Sequence, residues 1–102
     1  MHLVQILLPV FDNTGSRFDD GMLAGVRQEL TDRFGGVTAY LRSPASGAWQ
    51  RGDGSVDRDQ MVMVEVMTDD LDPEWWAQYR AGLEARFQQD VIIVRVLAAR
   101  RI

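Results

Sequence analysis

The sequence predicts an α+β fold made of two matched strand-helix-strand units, on three observations. Four short stretches alternate apolar residues with period two, as half-buried strands do. Two longer stretches carry apolar residues at three- and four-residue spacing behind an aspartate, as capped amphipathic helices do. Parts of the first unit recur in the second. Arg27, Leu30, Arg33 and Phe34 give the pattern RxxLxxRF, which returns 53 residues on as Arg80, Leu83, Arg86 and Phe87, and Asp19 and Asp72 are separated by the same interval.

The stretch QMVMVEVM, Gln60 to Met67, reads as the central strand: Val62, Val64 and Val66 form a uniformly apolar side, and Met61, Met63, Glu65 and Met67 a mixed one. His2 to Val10 is a strand of the same two-faced type, with Val4, Ile6 and Leu8 on one side and Leu3, Gln5 and Leu7 on the other. FDNTGSRF, Phe11 to Phe18, is turn chemistry. Asp19 then caps a helix whose stripe is Met22, Val26, Leu30 and Phe34 and whose end is Gly35-Gly36, glycine entering the left-handed region without penalty. Val37, Ala39 and Leu41 alternate with Thr38, Tyr40 and Arg42 in a further strand. The polar run Ser43 to Asp59 follows, with Gly52-Asp53-Gly54 predicted as a hairpin tip. Asp72, Pro73 and Glu74 open a second helix with Trp76, Tyr79 or Arg80, Leu83 and Phe87 inward. Asp90 leads into a last strand, with Ile92, Val94 and Val96 opposing Val91, Ile93, Arg95 and Leu97.

The order strand, helix, strand, strand, helix, strand predicts the split ferredoxin-like arrangement βαββαβ: a four-stranded antiparallel sheet, order 4-1-3-2, with both helices on one face. At 102 residues and 46% hydrophobic content, residues 1–102 make one domain with a sizeable core. The chain resembles the ferredoxin-like proteins of the dimeric α+β barrel type, and more closely a group of short bacterial proteins of unassigned function. The closer resemblance rests on the runs LTDRFGGVTAYLRSP, AWQRGDG and VEVMTDDLDPEWW. It implies the fold and a homodimer. It brings no catalytic motif, since such barrels share topology more than residues.

Composition narrows the function classes. The net charge is -4 and the basic residues are all arginine, which argues against a nucleic-acid partner, because phosphate backbones call for clustered positive charge. There is no cysteine, hence no disulfide, thiol nucleophile or thiolate metal site. The opening MHLVQILLPV lacks a basic leader and a small-residue cleavage site, and no run approaches the roughly 18 apolar residues of a membrane span, so a cytoplasmic protein without a membrane partner is expected.

Placing the valine sides against the helices leaves Leu3, Leu7, Met61, Met63, Met67, Val91, Ile93 and Leu97 on the opposite sheet face, beyond the roughly 300–600 Å² apolar patch of a typical monomer. Face-to-face dimerisation covers that face; the Ser43 to Asp59 connection folding over it is the rival. Among these apolar residues Gln5, Glu65 and Arg95 fall near the middles of three adjacent strands, with Tyr40 and Arg42 on the fourth, as a candidate ligand-binding row. In one reading they pair with one another and fix register. In the other they orient a small aromatic or acidic ligand, arginine holding a carboxylate or enolate and Glu65 taking a proton. The functional expectation is a small binding or interaction module. Its alternative is a cofactor-independent enzyme of the monooxygenase or isomerase kind, with Glu65, Tyr40 and Arg95 in the lead roles.

Neither cofactor nor metal is expected. His2, the sole histidine, lies at a terminus expected to be flexible; Asp53, Asp57 and Asp59 lack the alternating pattern of a calcium loop; and Arg51-Gly52-Asp53 is a chance tripeptide. Of Trp75 and Trp76, at most one can face inward, leaving the other for a partner subunit.

Overall fold

The computed structural model describes residues 1–42 and 60–102, and of 40–42 only the backbone. The predicted hairpin around Gly52-Asp53-Gly54, and the alternative in which Ser43 to Asp59 covers the sheet, lie outside the described residues. Strand β1 is His2–Pro9, helix α1 Asp20–Phe34, β2 Thr38–Arg42, β3 Met61–Thr68, α2 Pro73–Arg86 and β4 Ile93–Ala98. The sheet order is β2-β3-β1-β4 with every pairing antiparallel, which is the predicted order read from the other edge.

Both helices begin where their caps were predicted. The Asp19 carboxylate accepts from the Gly21 amide at 2.8 Å, and that of Asp72 from the Trp75 amide at 3.1 Å, each occupying a first-turn donor that has no carbonyl partner. Pro73 follows Asp72, its missing N–H costing nothing in the first turn. At the far end of α1, Gly35 adopts φ 82° and donates to the Thr31 carbonyl at 2.8 Å. In the turn before α1, the Asp12 carboxylate accepts from the Thr14 and Ser16 amides and the Thr14 hydroxyl, closing the loop between β1 and α1.

One face of the sheet carries the core. Val4, Ile6 and Leu8 of β1 and Val64 and Val66 of β3 pack in one cluster with Val26 and Leu30 of α1, Trp76 and Leu83 of α2, and Phe87 and Ile92 beyond it. Shared burial against these same strand positions puts both helices on that face. The predicted α1 stripe is buried in its middle, at Val26 and Leu30, and half-buried at its ends, Met22 and Phe34. In α2, Tyr79 rather than Arg80 turns toward the core. His2 is half-buried and paired with Thr68 and Ala98, so the expectation of a flexible first turn of chain is corrected: β1 is held on both sides from its start.

Leu83 is fully buried in the last turn of α2. Leu83→Ala should therefore destabilise the fold by about 2–5 kcal/mol, transfer and cavity costs together, read as a shift in the urea midpoint at unchanged slope. A cost below about 0.5 kcal/mol, the surface range, would contradict this core assignment.

Candidate functional site

The sheet face away from the helices is ordered in rows by strand register. Gln5 lies opposite Glu65 on β3 and Arg95 on β4, and Thr38 of β2 lies opposite Glu65, so Thr38, Glu65, Gln5 and Arg95 form one row across all four strands. On one side runs the row Met67, Leu3, Leu97; on the other, Met63, Leu7, Ile93. Tyr40 is opposite Met63 and Arg42 opposite Met61, so the register sets them in the next two rows and gives Thr38 the place level with Glu65. Alternation along β2 reveals which residues share a face; their partners across the sheet depend on pairing, which period-two reasoning does not contain.

Three of the expected residues are joined by side-chain hydrogen bonds. Gln5 Nε2 donates to Glu65 Oε1 at 3.0 Å, and Arg95 Nε donates to Gln5 Oε1 at 2.6 Å. The primary amide suits this position because it both donates and accepts, and so links an acceptor-only carboxylate to a donor-only guanidinium. Gln5 is only 9% exposed, Glu65 is half-buried and Arg95 is exposed on the edge strand. The row thus runs from a solvent-facing positive end on β4 to a more sheltered negative position on β3.

The expectation of a wholly bare mixed face needs correction. Met63 is fully buried and Leu3 and Leu7 are half-buried within the single chain, whereas Met67, Ile93 and Leu97 are 55%, 49% and 44% exposed. Among the described residues, the exposed apolar side chains of this face thus include Ile93 and Leu97 on either side of Arg95 along β4, and Met67 two strands away in the row of Leu97.

A second cluster, not foreseen as a unit, joins the helices on their outer side. Arg86 makes a bidentate pair with Glu29, at 2.6 and 3.0 Å, and the Tyr79 hydroxyl donates to the same carboxylate at 3.3 Å. Tyr79 stacks on Trp75, centroids 4.9 Å apart, and the Arg33 guanidinium lies 4.2 Å from the Trp75 centroid. Trp76 is the inward tryptophan, stacked on Phe34, and Trp75 finds its stacking partners within its own chain rather than needing a partner subunit. The echoed arginines were the available signal, since Arg33 and Arg86 both belong to the repeated pattern. The Arg86 hydrogen bonds hold the Glu29 carboxyl below its ordinary range, and burial, then the Glu29 charge, pushes the Tyr79 phenol up. An open cavity of about 340 Å³ adjoins this cluster, between Arg33, Thr68, Asp70 and the two tryptophans. A smaller cavity of about 40 Å³, lined largely by Leu8, Phe18, Leu23 and Phe87, has room for little more than a water or two.

Among the described residues, no group of three histidine, aspartate or glutamate side chains could hold a metal ion, and no helix is long and apolar enough to cross a membrane.

Comparison with known proteins finds no matching family model and no matching curated protein. Among solved structures the chain is similar to a phage SAM lyase in complex with S-methyl-5'-thioadenosine, with a TM-score of 0.61 at 13% sequence identity over 94% of this chain and 79% of that one. The open four-stranded sheet, its order and this likeness define the class of protein: a ferredoxin-like α+β domain. At that identity the likeness is one of fold.

Replacing Gln5 by methionine keeps the volume but removes the buried amide that links Glu65 to Arg95. Gln5→Met should lower stability by about 1–3 kcal/mol in urea unfolding, and an unchanged midpoint would show that the bridge contributes nothing. The lowered Glu29 pKa makes a separate prediction. Its contribution is present at pH values above the unfolded carboxyl's, ordinarily 4.5, and is lost as pH falls through the lower folded value. Glu29→Gln should therefore flatten the stability profile below about pH 4.5; equal slopes for the two proteins would refute the coupling.

Proposed function

We propose that this protein is a small binding or interaction module that pairs with a second copy through its open sheet face. The observation that carries the reading is the polar row set between exposed apolar residues. Arg95 and Glu65 flank Gln5 at one level, and Met67 and Leu97 flank Leu3 at the next. A two-fold axis along β1, between two facing sheets, reverses each row. It lays Arg95 of one copy over the partner's Glu65, and Met67 over the partner's Leu97, matching charge to opposite charge and apolar to apolar. Closing the face this way encloses the proposed ligand row of Gln5, Glu65 and Arg95, with Tyr40 and Arg42 in the rows beside it. A net charge of -4, without lysine, favours a protein copy or a small molecule over nucleic acid as partner.

The second reading is a cofactor-independent enzyme acting on a small aromatic or acidic compound in that enclosed space. The similar fold of a lyase holding a thioadenosine supports it. In that case Glu65 handles a proton and Arg95 holds the anionic group.

Light scattering over a concentration series tests the first reading: it predicts an assembly of at least twice 11.6 kDa. Met67→Glu, on an exposed site away from the helices, should raise the dimer dissociation constant by roughly two orders of magnitude, a few kcal/mol for a carboxylate in an apolar contact. A mass unaffected by Met67→Glu would remove the face contact. Calorimetric titration with S-methyl-5'-thioadenosine separates the readings. Saturable binding that Glu65→Gln abolishes while fold and mass persist favours the enzyme, and no binding with a weakened dimer in Glu65→Gln favours the module.

A further inference from the structure

The outer edge of β4 is paired with no strand among the described residues. Backbone alternation identifies which of its groups are on offer. The Ala99 amide donates to the Met1 carbonyl and the Val10 amide to the Gln60 carbonyl. Odd-numbered residues of β1 therefore bond to β4 and even-numbered ones to β3, since in an antiparallel pair the two kinds of position alternate. On β4, then, Ile93, Arg95 and Leu97 spend their backbone groups on β1, while Val94, Val96 and Ala98 direct theirs outward, where no strand among the described residues lies. The side chains on this strand are also under-covered on both faces. Ile93 and Leu97 are 49% and 44% exposed on the open face, and Val96 is 44% exposed on the helix side. Inside β4 there is no proline or lysine, and its one charge, Arg95, turns along the sheet to Gln5 instead of guarding the edge.

We propose that β4 pairs antiparallel with β4 of a second copy about a two-fold axis at Val96, extending the sheet across both chains. Only even-numbered positions can bond across such an axis, which limits the registers. Two of them keep five residues of each strand paired, 93–97 or 94–98. The first is centred on Arg95 and sets guanidinium directly opposite guanidinium. The second is centred on Val96, sets Val94 opposite the partner's Ala98 and Arg95 opposite the partner's Leu97, and separates the like charges. Continued past the strand ends, it carries the exposed Asp90 of each copy toward the partner's Arg100 and Arg101, so acidic start meets basic end on both sides. The charge pattern and the apolar edge thus select the same occupant, a second copy of this chain.

The edge contact does not depend on the face contact. Val96 points to the helix side, on the opposite side of the sheet from the row containing Gln5. Because the chain has no cysteine, a single introduced thiol reports on one position. In the proposed register the two Val96 Cα atoms are about 5.5 Å apart, within disulfide range, whereas the two Ile93 positions are separated by six residues, roughly 20 Å. Under mild oxidation Val96→Cys should shift from monomer to covalent dimer on a non-reducing gel, and Ile93→Cys should stay monomeric. The cross-link should persist in the Met67→Glu background, which tests the face contact separately. Val96→Pro removes an outward amide that β1 does not use, so it should keep the monomer's circular dichroism and lose edge association. The proposal is overturned if Val96→Cys links no faster than Ile93→Cys. A folded Val96→Pro whose edge association equals that of the wild type also overturns it. If Val96→Pro fails to fold, the cysteine pair decides.

Discussion

Strand β1 is paired on both sides, and the rest of the molecule depends on that constraint. Its even-numbered backbone groups are committed to β3 and its odd-numbered ones to β4, so the first strand to leave the N-terminus joins the two strand-helix-strand units into one sheet. The same commitment fixes side-chain direction. Val4, Ile6 and Leu8 go to the helices and Leu3, Gln5 and Leu7 to the other face, and a slip by one residue on either side would exchange the two sets. Gln5 meets Glu65 and Arg95 because the registers with β3 and β4 set those two residues opposite it, one on each side.

The helices are tied together twice, inside by the apolar cluster and outside by the chain of contacts from Arg86 through Glu29 and Tyr79 to Trp75 and Arg33. The outer contacts are partly solvent-exposed, so their individual contributions are small. Their geometry nonetheless restrains how α1 lies on α2. The two RxxLxxRF segments divide these labours alike: each leucine and phenylalanine faces the sheet or its border, and one arginine from each segment reaches across to the other helix.

Much of this was legible in the chain because it is local. Asp19, Asp72, Pro73 and Gly35 act on residues within a turn of themselves, so the capped helices could be read directly, and period-two alternation separated the core valines from the mixed face. The candidate site was legible in part. Gln5, Glu65 and Arg95 could be grouped once the strand order was inferred from the 53-residue echo, whereas Thr38 could not be preferred over Tyr40, because the β2–β3 register is set by pairing between distant segments. Burial of Met63 and exposure of Val96 were equally out of reach. Both depend on what lies above a given strand, and a strand's own sequence does not encode its neighbours across the sheet or its place at the edge.

The alternation of bonded and outward backbone groups along β4 also bears on how the protein stays out of aggregates. An apolar strand with unspent amides is a template that can recruit chain after chain, and most proteins blunt such an edge. Here the arginine within the strand can act as a register check instead. A copy paired with residue 95 against residue 95 meets a like charge, whereas the two-fold pair centred on residue 96 separates the charges and leaves neither β4 edge open to a further chain. One guanidinium would then both complete the row with Gln5 and choose between the two closed pairings at this edge.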